Sequence, residues 1–475
     1  MIRTRYAPSP TGFMHIGNLR TALYEYLIAK GAGGVFVLRI EDTDRQRYVP
    51  GAEAAIYDTL KVHGLVFDEG PGVGGEYGPY VQSERKDSYL PQAKKLIENG
   101  GAYYCFCDKE RLESLQDELG FKKYDRFCHG LSGEEINSRL LEKRPYVIRQ
   151  FIPDGQTAFI DEVFGEISLE NKEMEDQVLI KSDGMPTYNF ANVIDDNSMK
   201  ITHVVRGSEY LTSTPKYKLL YDTLGFDVPK FLHLPLLQNE KGQKISKRHG
   251  DASVLELLDA GFLPEAILNY AALLGWSPTG NKEIFSLSEL ANEFDPSGIS
   301  KSPSTFDMKK LTWVNGEHIK LLSDEAFFEL SLPYLQETVK KPGVNYKRLA
   351  EMTKSRVSFV HEVRDMLDFV DKLPDYGTEL FLHKKMKTDE EVAKKALKAA
   401  YEALEKADDF SQNSVVESLA TAASQLGLTK GQMLWSVRTA VSGKPETPCG
   451  AAEICEILGK DETLVRIKTG LEKLL

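Results

Sequence analysis

Two short segments carry side chains able to handle a polyphosphate. The first runs Ala7-Pro8-Ser9-Pro10-Thr11-Gly12 and on to His15-Ile16-Gly17-Asn18. It sets hydroxyls, an imidazole and a glycine between a strand candidate, Ile2–Ala7, and a helical pattern over Ile16–Lys30. Open parallel sheets bind nucleotides at the carboxyl ends of their strands. There the next helix offers unsatisfied N–H groups and a positive dipole end to phosphate. His15 can donate to a phosphate oxygen, and Gly17 lets an adenine approach the backbone. The second segment is Lys244-Ile245-Ser246-Lys247-Arg248, between Gly242 and Gly250. Three cations in five residues suit a loop that closes on a polyphosphate. Taken singly, the first is an ordinary turn and the second an ordinary solvated loop. Their order, about 230 residues apart on one α/β scaffold, is what points to a nucleotide site.

A third constellation has metal chemistry. Cys105-x-Cys107, Tyr124, Cys128 and His129 fall within 25 residues. A structural zinc ion takes four N, S or O ligands in a closed tetrahedron. Three thiolates with either Tyr124 or His129 would suffice, and three buried reduced thiols without metal are the alternative. Cys449 and Cys455 read as ordinary helix or loop residues. Five cysteines in 475 residues make no disulfide framework.

The surrounding pattern predicts the elements that must position these groups. Val35–Ile40 is a near-continuous apolar run, as in a strand buried on both faces of a parallel sheet. Helical patterns follow over Ala52–His63 and Glu84–Asn99, so the first 105 residues alternate strand and helix. Residues 105–180 change character, with the cysteines, a charged helical stretch and a short strand candidate at Tyr146–Arg149. The α/β rhythm returns with strands at Gln177–Lys181 and Thr202–Arg206 and a helix over Thr214–Leu224. Beyond about 255 the pattern is helical: Glu265–Leu274, Asp324–Leu335, Lys347–Lys372, Thr388–Ala407 and Gly431–Val441.

Composition narrows the partners. With 59 Lys+Arg against 71 Asp+Glu the net charge is -12, which argues against a general DNA coat or a charge-held membrane protein. No apolar stretch reaches the ~18 residues of a membrane span, and the start at Met1 shows no signal segment, so a cytoplasmic location is expected.

Together the two phosphate segments resemble the HIGH and KMSKS signatures of class I aminoacyl-tRNA synthetases. Asn18 replaces the second histidine, Ile245 the methionine, and Arg248 the closing serine, departures familiar in the glutamyl branch. The resemblance to glutamyl-tRNA synthetases extends through Arg5–Gly12, Arg39–Asp44, Asp68–Pro71, Tyr80–Arg85, Lys181–Tyr188, Ala191–Val193, Thr305–Asp307 and Thr439–Gly443, nearly the whole chain. It implies a doubly wound Rossmann-like α/β catalytic domain with an acceptor-stem-binding insertion, then an all-α anticodon-binding region. The expected divisions are residues 1–104 and 181–238 for the two catalytic halves, 105–180 for the insertion, 239–318 for the loop and stem-contact region, and 319–475 for the anticodon reader.

The resemblance also implies a reaction. ATP activates L-glutamate to glutamyl-adenylate, and the 3′ end of glutamate tRNA takes the acyl group, releasing AMP after pyrophosphate. His15 and Lys247 are the implied catalytic donors. Arg5, Ala7, Ser9, Glu41, Tyr188, Asn192 and Arg206 would bind glutamate. Thr11, His15, Gly17, Glu209, Leu237, Lys244 and Lys247 would bind ATP, which Mg²⁺ accompanies. A dianionic amino acid needs cations for its carboxylates and an anion for its ammonium, which this set contains. In some bacterial members a Cys-x-Cys pair with a later Tyr-x-x-x-Cys holds structural zinc, the spacing of Cys105, Cys107, Tyr124 and Cys128. Arg356 and Arg438 are the anticodon candidates. Arg356 ends a run, Lys340–Arg356, with six basic residues and one acid. A monomer is expected. A glutaminyl enzyme, which usually carries β-barrel anticodon domains, fits the helical C-terminal third less well.

Overall fold

In the computed structural model, residues 1–44, 47–115, 124–245 and 253–475 are described. They divide into two compact units, Met1–Leu311 and Thr312–Leu475.

The first unit is built on parallel strands. Arg3–Tyr6 pairs in parallel with Val35–Leu38, the apolar run that is fully buried from Phe36 onward. Its other flank meets the start of His203–Gly207, where the Thr202 N–H donates to the Arg3 carbonyl (2.9 Å). His203–Gly207 pairs in parallel with Lys230–Leu234. The latter meets Gln156–Asp161 at Asp161–Phe231, and Gly165–Glu170 closes that edge as an antiparallel hairpin arm. Helix Ile16–Gly31 packs along the first strand and buries Leu19, Leu23 and Leu27, the face its periodicity predicts. Helix Thr214–Leu224 starts and ends at the expected residues, stopped by Gly225 in the left-handed region (φ 69°).

The segment 105–180 is less separate than its composition suggests. The hairpin Gln156–Glu170 extends the main sheet, as just described. Val147–Gln150 lies between Ala102–Cys105 and Val178–Ile180 in an antiparallel sheet. Val37, Ile148, Leu179, Phe190, Val204 and Phe231 belong to one apolar core, so both sheets share it. The cysteine region has its own small core, with Tyr103, Cys105 and Cys128 buried against Tyr124, Val147 and Phe151.

The second unit is helical, from Asp324–Thr338 to Lys460–Lys473. The expected single helix Lys347–Lys372 is instead broken into Tyr346–Thr353, short 3-10 turns at Lys354–Arg356 and Val360–Glu362, and Val363–Leu367. The cause is local hydrogen bonding. The Glu362 carboxylate accepts from the Ser358 and Phe359 N–H groups (2.7 and 3.1 Å), a cap that starts a new turn. The Asn315 amide also takes the Ser358 carbonyl (2.6 Å). Farther on, buried Arg466 holds the Phe369 and Val370 carbonyls (2.7 and 3.0 Å) that a continuous helix would use itself. Among the described residues no helix is long and apolar enough to cross a membrane.

Candidate active site

His15 sits at the N-cap of helix Ile16–Gly31. Its Nδ1 accepts from the N–H groups of Gly17 (3.0 Å) and Asn18 (3.3 Å). The Asn18 amide oxygen in turn accepts from the His15 N–H (3.3 Å), closing a capping box. With Nδ1 committed as an acceptor, a neutral imidazole carries its proton on Nε2, which is the ring's donor. A Cβ on Gly17 would lie 2.9 Å from His15 Cε1 and 3.5 Å from Leu237 Cδ1. The glycine therefore leaves room for the imidazole itself. Lys244 Nζ pairs with Glu209 Oε1 (3.1 Å), and both side chains are largely exposed. Lys247 lies outside the described residues.

Arg5, which lines a cleft with His15, belongs to a buried network dense with charge. Arg5 donates from Nε to Asp196 Oδ1 (3.0 Å) and from Nη1 to Glu25 Oε1 (2.9 Å). Arg39 donates to the same Asp196 oxygen (2.6 Å) and to Glu41 Oε1 (2.9 Å). Gln82 links Glu41 to Asp195, which also pairs with Arg85 (2.6 Å). Burial pushes the Asp196 carboxyl up, but Arg5 and Arg39 more than offset it and hold it below its ordinary value. Burial wins at Glu25, raised to about 8 despite Arg5, and at Glu41, raised despite Arg39. Four buried polar atoms here have no hydrogen-bond partner among the described residues: Glu25 Oε2, Glu41 Oε2 and Gln82 Oε1, all acceptors, and Asn192 Nδ2, a donor. Buried polar atoms are normally paired, so a network that leaves several acceptors open can take a donor from a ligand.

Arg206 differs from Arg5. Its guanidinium donates to His233 Nε2 (3.3 Å) and Thr214 Oγ1 (3.0 Å), both formally neutral acceptors. The rings of Tyr217 and Tyr210 lie 4.5 and 5.3 Å from its carbon. No described carboxylate lies within ion-pair distance of it. The residue is only 7% exposed, so it is a buried cation without a counter-ion among the described residues.

The cysteine cluster also closes. The Sγ atoms of Cys105, Cys107 and Cys128 lie within 4.8 Å of one another, Cys107 and Cys128 at 3.5 Å. Tyr124 Oη is 3.2 Å from Cys105 Sγ and 3.7 Å from Cys107 Sγ. Thiolates around zinc stand about 3.8 Å apart for Zn–S bonds of about 2.3 Å, so this donor set fits a tetrahedral metal ion. His129 is turned away, stacked on Phe151 with centroids 4.2 Å apart. Tyr124, not His129, therefore joins the three thiols. Burial raises the Cys107 thiol to about 12.

In the helical unit Arg356 and Arg438 line one pocket with Trp435, Thr447 and Pro448. Arg438 stacks over Trp435 (4.2 Å) and donates to Thr447 Oγ1 and the Pro445 carbonyl (3.3 and 2.9 Å). Arg356 is exposed and carries no ion pair among the described residues.

Comparison with known proteins decides the family. Residues 1–313 match the model of tRNA synthetases class I (E and Q), catalytic domain, and residues 326–471 match an anticodon binding domain. The glutamate–tRNA ligases of Clostridium tetani and Clostridium kluyveri are 53% and 52% identical to the chain, covering 100% of it and 98% of each relative. The chain belongs to the glutamate–tRNA ligases. A crystal structure of such a ligase from Elizabethkingia meningosepticum, in complex with its amino acid, matches at a TM-score of 0.87 and 37% identity over 100% of both chains. Another, from Elizabethkingia anophelis, matches equally well over 99% of both.

For a glutamate–tRNA ligase, most of the residues implied by resemblance come together. Arg5, Ala7, Ser9, Tyr188 and Arg206 line one cleft with Thr11, His15, Gly17, Glu209, Leu237 and Lys244. Glu41 lines an adjoining cleft that shares Ser9, Thr11 and Tyr188. Asn192 is buried one helical turn beyond Tyr188 and lines neither surface. Sequence reasoning missed Glu25, Asp195 and Asp196, which pair with the arginines, and Asp161 and His233 behind Arg206. Asp195-Asp196 directly after Val193-Ile194 was a usable signal, because charge continuing a buried helical run needs a buried partner.

Proposed function

We infer that this ligase uses ATP to activate L-glutamate as glutamyl-adenylate and passes the glutamyl group to the 3′-terminal ribose of glutamate tRNA. The observation that carries the reading is Arg206. A buried guanidinium without a counter-ion among the described residues calls for a carboxylate from outside, and glutamine in its place would leave the cation unsatisfied. Tyr188 and the Nη2 of Arg5 complete the carboxylate site, while Glu41 Oε2 takes the substrate ammonium with Ala7 and Ser9 at the rim.

The α-carboxylate of glutamate attacks the α-phosphorus of ATP, an O–P bond forms, and pyrophosphate leaves with its electron pair. A ribose hydroxyl of the tRNA then attacks the acyl carbon, the acyl–O bond to phosphate breaks, and AMP departs. No protein nucleophile is needed. Positioning and charge stabilisation do the catalysis. His15 Nε2–H and the Lys247 ammonium are the donors to the phosphates. Thr11, Gly17 and Leu237 seat the nucleoside. Lys244 must exchange Glu209 for phosphate, a small cost for an exposed pair. Mg²⁺ arrives with ATP as part of the substrate.

The cysteine cluster holds zinc through Cys105, Cys107, Cys128 and Tyr124, and its role is to fasten the end of strand Ala102–Cys105. Arg356 and Arg438 read the anticodon. Nothing in this scheme requires a second copy, which favours a monomer, and its substrates are those of the cytoplasm.

The test is tRNA-dependent ATP–pyrophosphate exchange. His15→Ala and Lys247→Ala are each expected to lower kcat on the order of 10²–10³-fold, with little change in the KM for tRNA. Near-wild-type exchange in both would sink the assignment. Undialysed protein should carry close to one equivalent of zinc, and under a tenth of an equivalent would refute the metal reading.

A further inference from the structure

Behind Arg206 lies a pair of fully buried groups that touches neither cleft. Asp161 ends the strand Gln156–Asp161, and His233 lies in the neighbouring strand Lys230–Leu234. Both side chains are wholly inaccessible, and Asp161 Oδ2 is 2.6 Å from His233 Nδ1. The other acceptor positions of Asp161 are taken: Oδ1 by the Val163 and Phe164 N–H groups (3.0 and 2.8 Å), Oδ2 also by the His233 N–H (3.1 Å). A carboxylate that accepts from every side has no proton to give, so the proton between the two residues belongs to His233 Nδ1. A neutral imidazole protonated there must be an acceptor at Nε2. That is the atom facing Arg206 Nε (3.3 Å) and Thr214 Oγ1 (3.1 Å). Burial lowers the pKa of His233, which keeps the ring neutral beside the guanidinium.

We propose that Asp161 and His233 are positioning residues for glutamate selection: the carboxylate fixes the imidazole tautomer, and the imidazole holds Arg206 by a neutral acceptor. A carboxylate in that place would hold the guanidinium equally well but would cancel its charge. The neutral hold leaves that charge for the substrate. Thr214 serves the same purpose at Nη2: its hydroxyl accepts from Arg206 (3.0 Å), and its one proton is shared between two acceptors, His233 Nε2 (3.1 Å) and the Tyr210 carbonyl (2.8 Å). The proposal rests on the reading of Arg206 as a glutamate ligand.

Asp161→Asn tests it. An amide in this pocket must turn its N–H either toward His233 Nδ1 or toward the Val163 and Phe164 N–H groups. The first forces the other tautomer and sets two donors face to face at Arg206, and the second sets donors face to face at the turn. In aminoacylation with saturating tRNA, the KM for glutamate is expected to rise at least tenfold while the KM for ATP moves less than twofold. Preference for glutamate over glutamine in kcat/KM should fall by a similar factor. Thr214→Val, which removes a neutral acceptor without changing side-chain volume much, should raise the glutamate KM at least threefold with the same split, and decides the matter if Asp161→Asn does not fold. Arg206→Ala separates the two layers. If it raises the glutamate KM tenfold or more while folded Asp161→Asn, or failing that Thr214→Val, leaves it within twofold, the positioning pair is refuted and Arg206 stands. If Arg206→Ala leaves it unchanged, the glutamate-ligand reading fails and takes the pair with it. Equal rises in the KM for glutamate and ATP would assign Asp161 and His233 a purely structural role and overturn the proposal.

Discussion

The pocket proposed for the amino acid and the basic stretch Lys340–Arg356 both set several cations against carboxylates, with opposite consequences. In the pocket Arg5, Arg39 and Arg85 are buried, and their pairs with Glu25, Glu41, Asp195 and Asp196 are nearly inaccessible. Along the basic stretch the sequence suggests an open cationic face. Most of it is spoken for. Lys347 pairs with Glu325 (3.3 Å), Arg348 with Glu351 (3.2 Å) and Lys354 with Asp324 (2.8 Å), while the ammonium groups of Lys340 and Lys341 donate to main-chain carbonyls. Arg356 is left without such a partner among the described residues. What sets the two regions apart is the dielectric surroundings. A buried partner cannot be exchanged without stranding its mate, whereas an exposed one gives way to water, salt or a phosphate at little cost. The pocket therefore fixes a geometry in advance, and the helical unit keeps cations that a polyanion can recruit.

The heaviest blow to this comparison would come from Asp196→Asn. It removes the shared partner of Arg5 and Arg39 and should destabilise the first unit by about 3–5 kcal/mol in urea unfolding. An unchanged midpoint would mean that the network does not hold the pocket. Next, Arg206→Lys keeps a charge but loses the planar fork held by His233 and Thr214, so kcat/KM for glutamate should drop about 100-fold with ATP binding intact. Arg356→Gln is expected to relax discrimination between glutamate and glutamine tRNA about tenfold, read as the ratio of charging efficiencies. Raising ionic strength from about 50 to 200 mM should weaken the KM for tRNA severalfold but move the KM for glutamate little, because screening reaches exposed charges and spares buried ones. Smallest of all, Lys347→Ala should leave the melting temperature within about 1 °C of wild type. A large loss there would erase the distinction between the two regions.

Local features of the fold were legible in the sequence because they depend on neighbours. Helix Thr214–Leu224 follows from periodicity and its terminal Gly225, and strand Val35–Leu38 from an unbroken apolar run. The helix expected over Lys347–Lys372 failed because Glu362 and Arg466 satisfy backbone groups from outside the pattern. The hairpin Gln156–Glu170 went unseen, although its first strand alternates buried and exposed residues, because the segment's cysteines and charges suggested a separate insertion.

The site divides in the same way. By itself the sequence determined where most strands and helices lie, the spacing of Cys105, Cys107, Tyr124 and Cys128, and the two segments proposed to meet phosphate. These are matters of spacing along one chain. Only the tertiary structure decided between Tyr124 and His129, and only it distinguished Arg5 from Arg206. The partners that make the difference, Asp196 for Arg5 and His233 with Asp161 for Arg206, stand 191, 27 and, from His233 to Asp161, 72 residues away. An arginine's chemistry depends on whether the group beside it is a carboxylate or a neutral acceptor, and that neighbour is set by how the strands pair, not by the residues on either side.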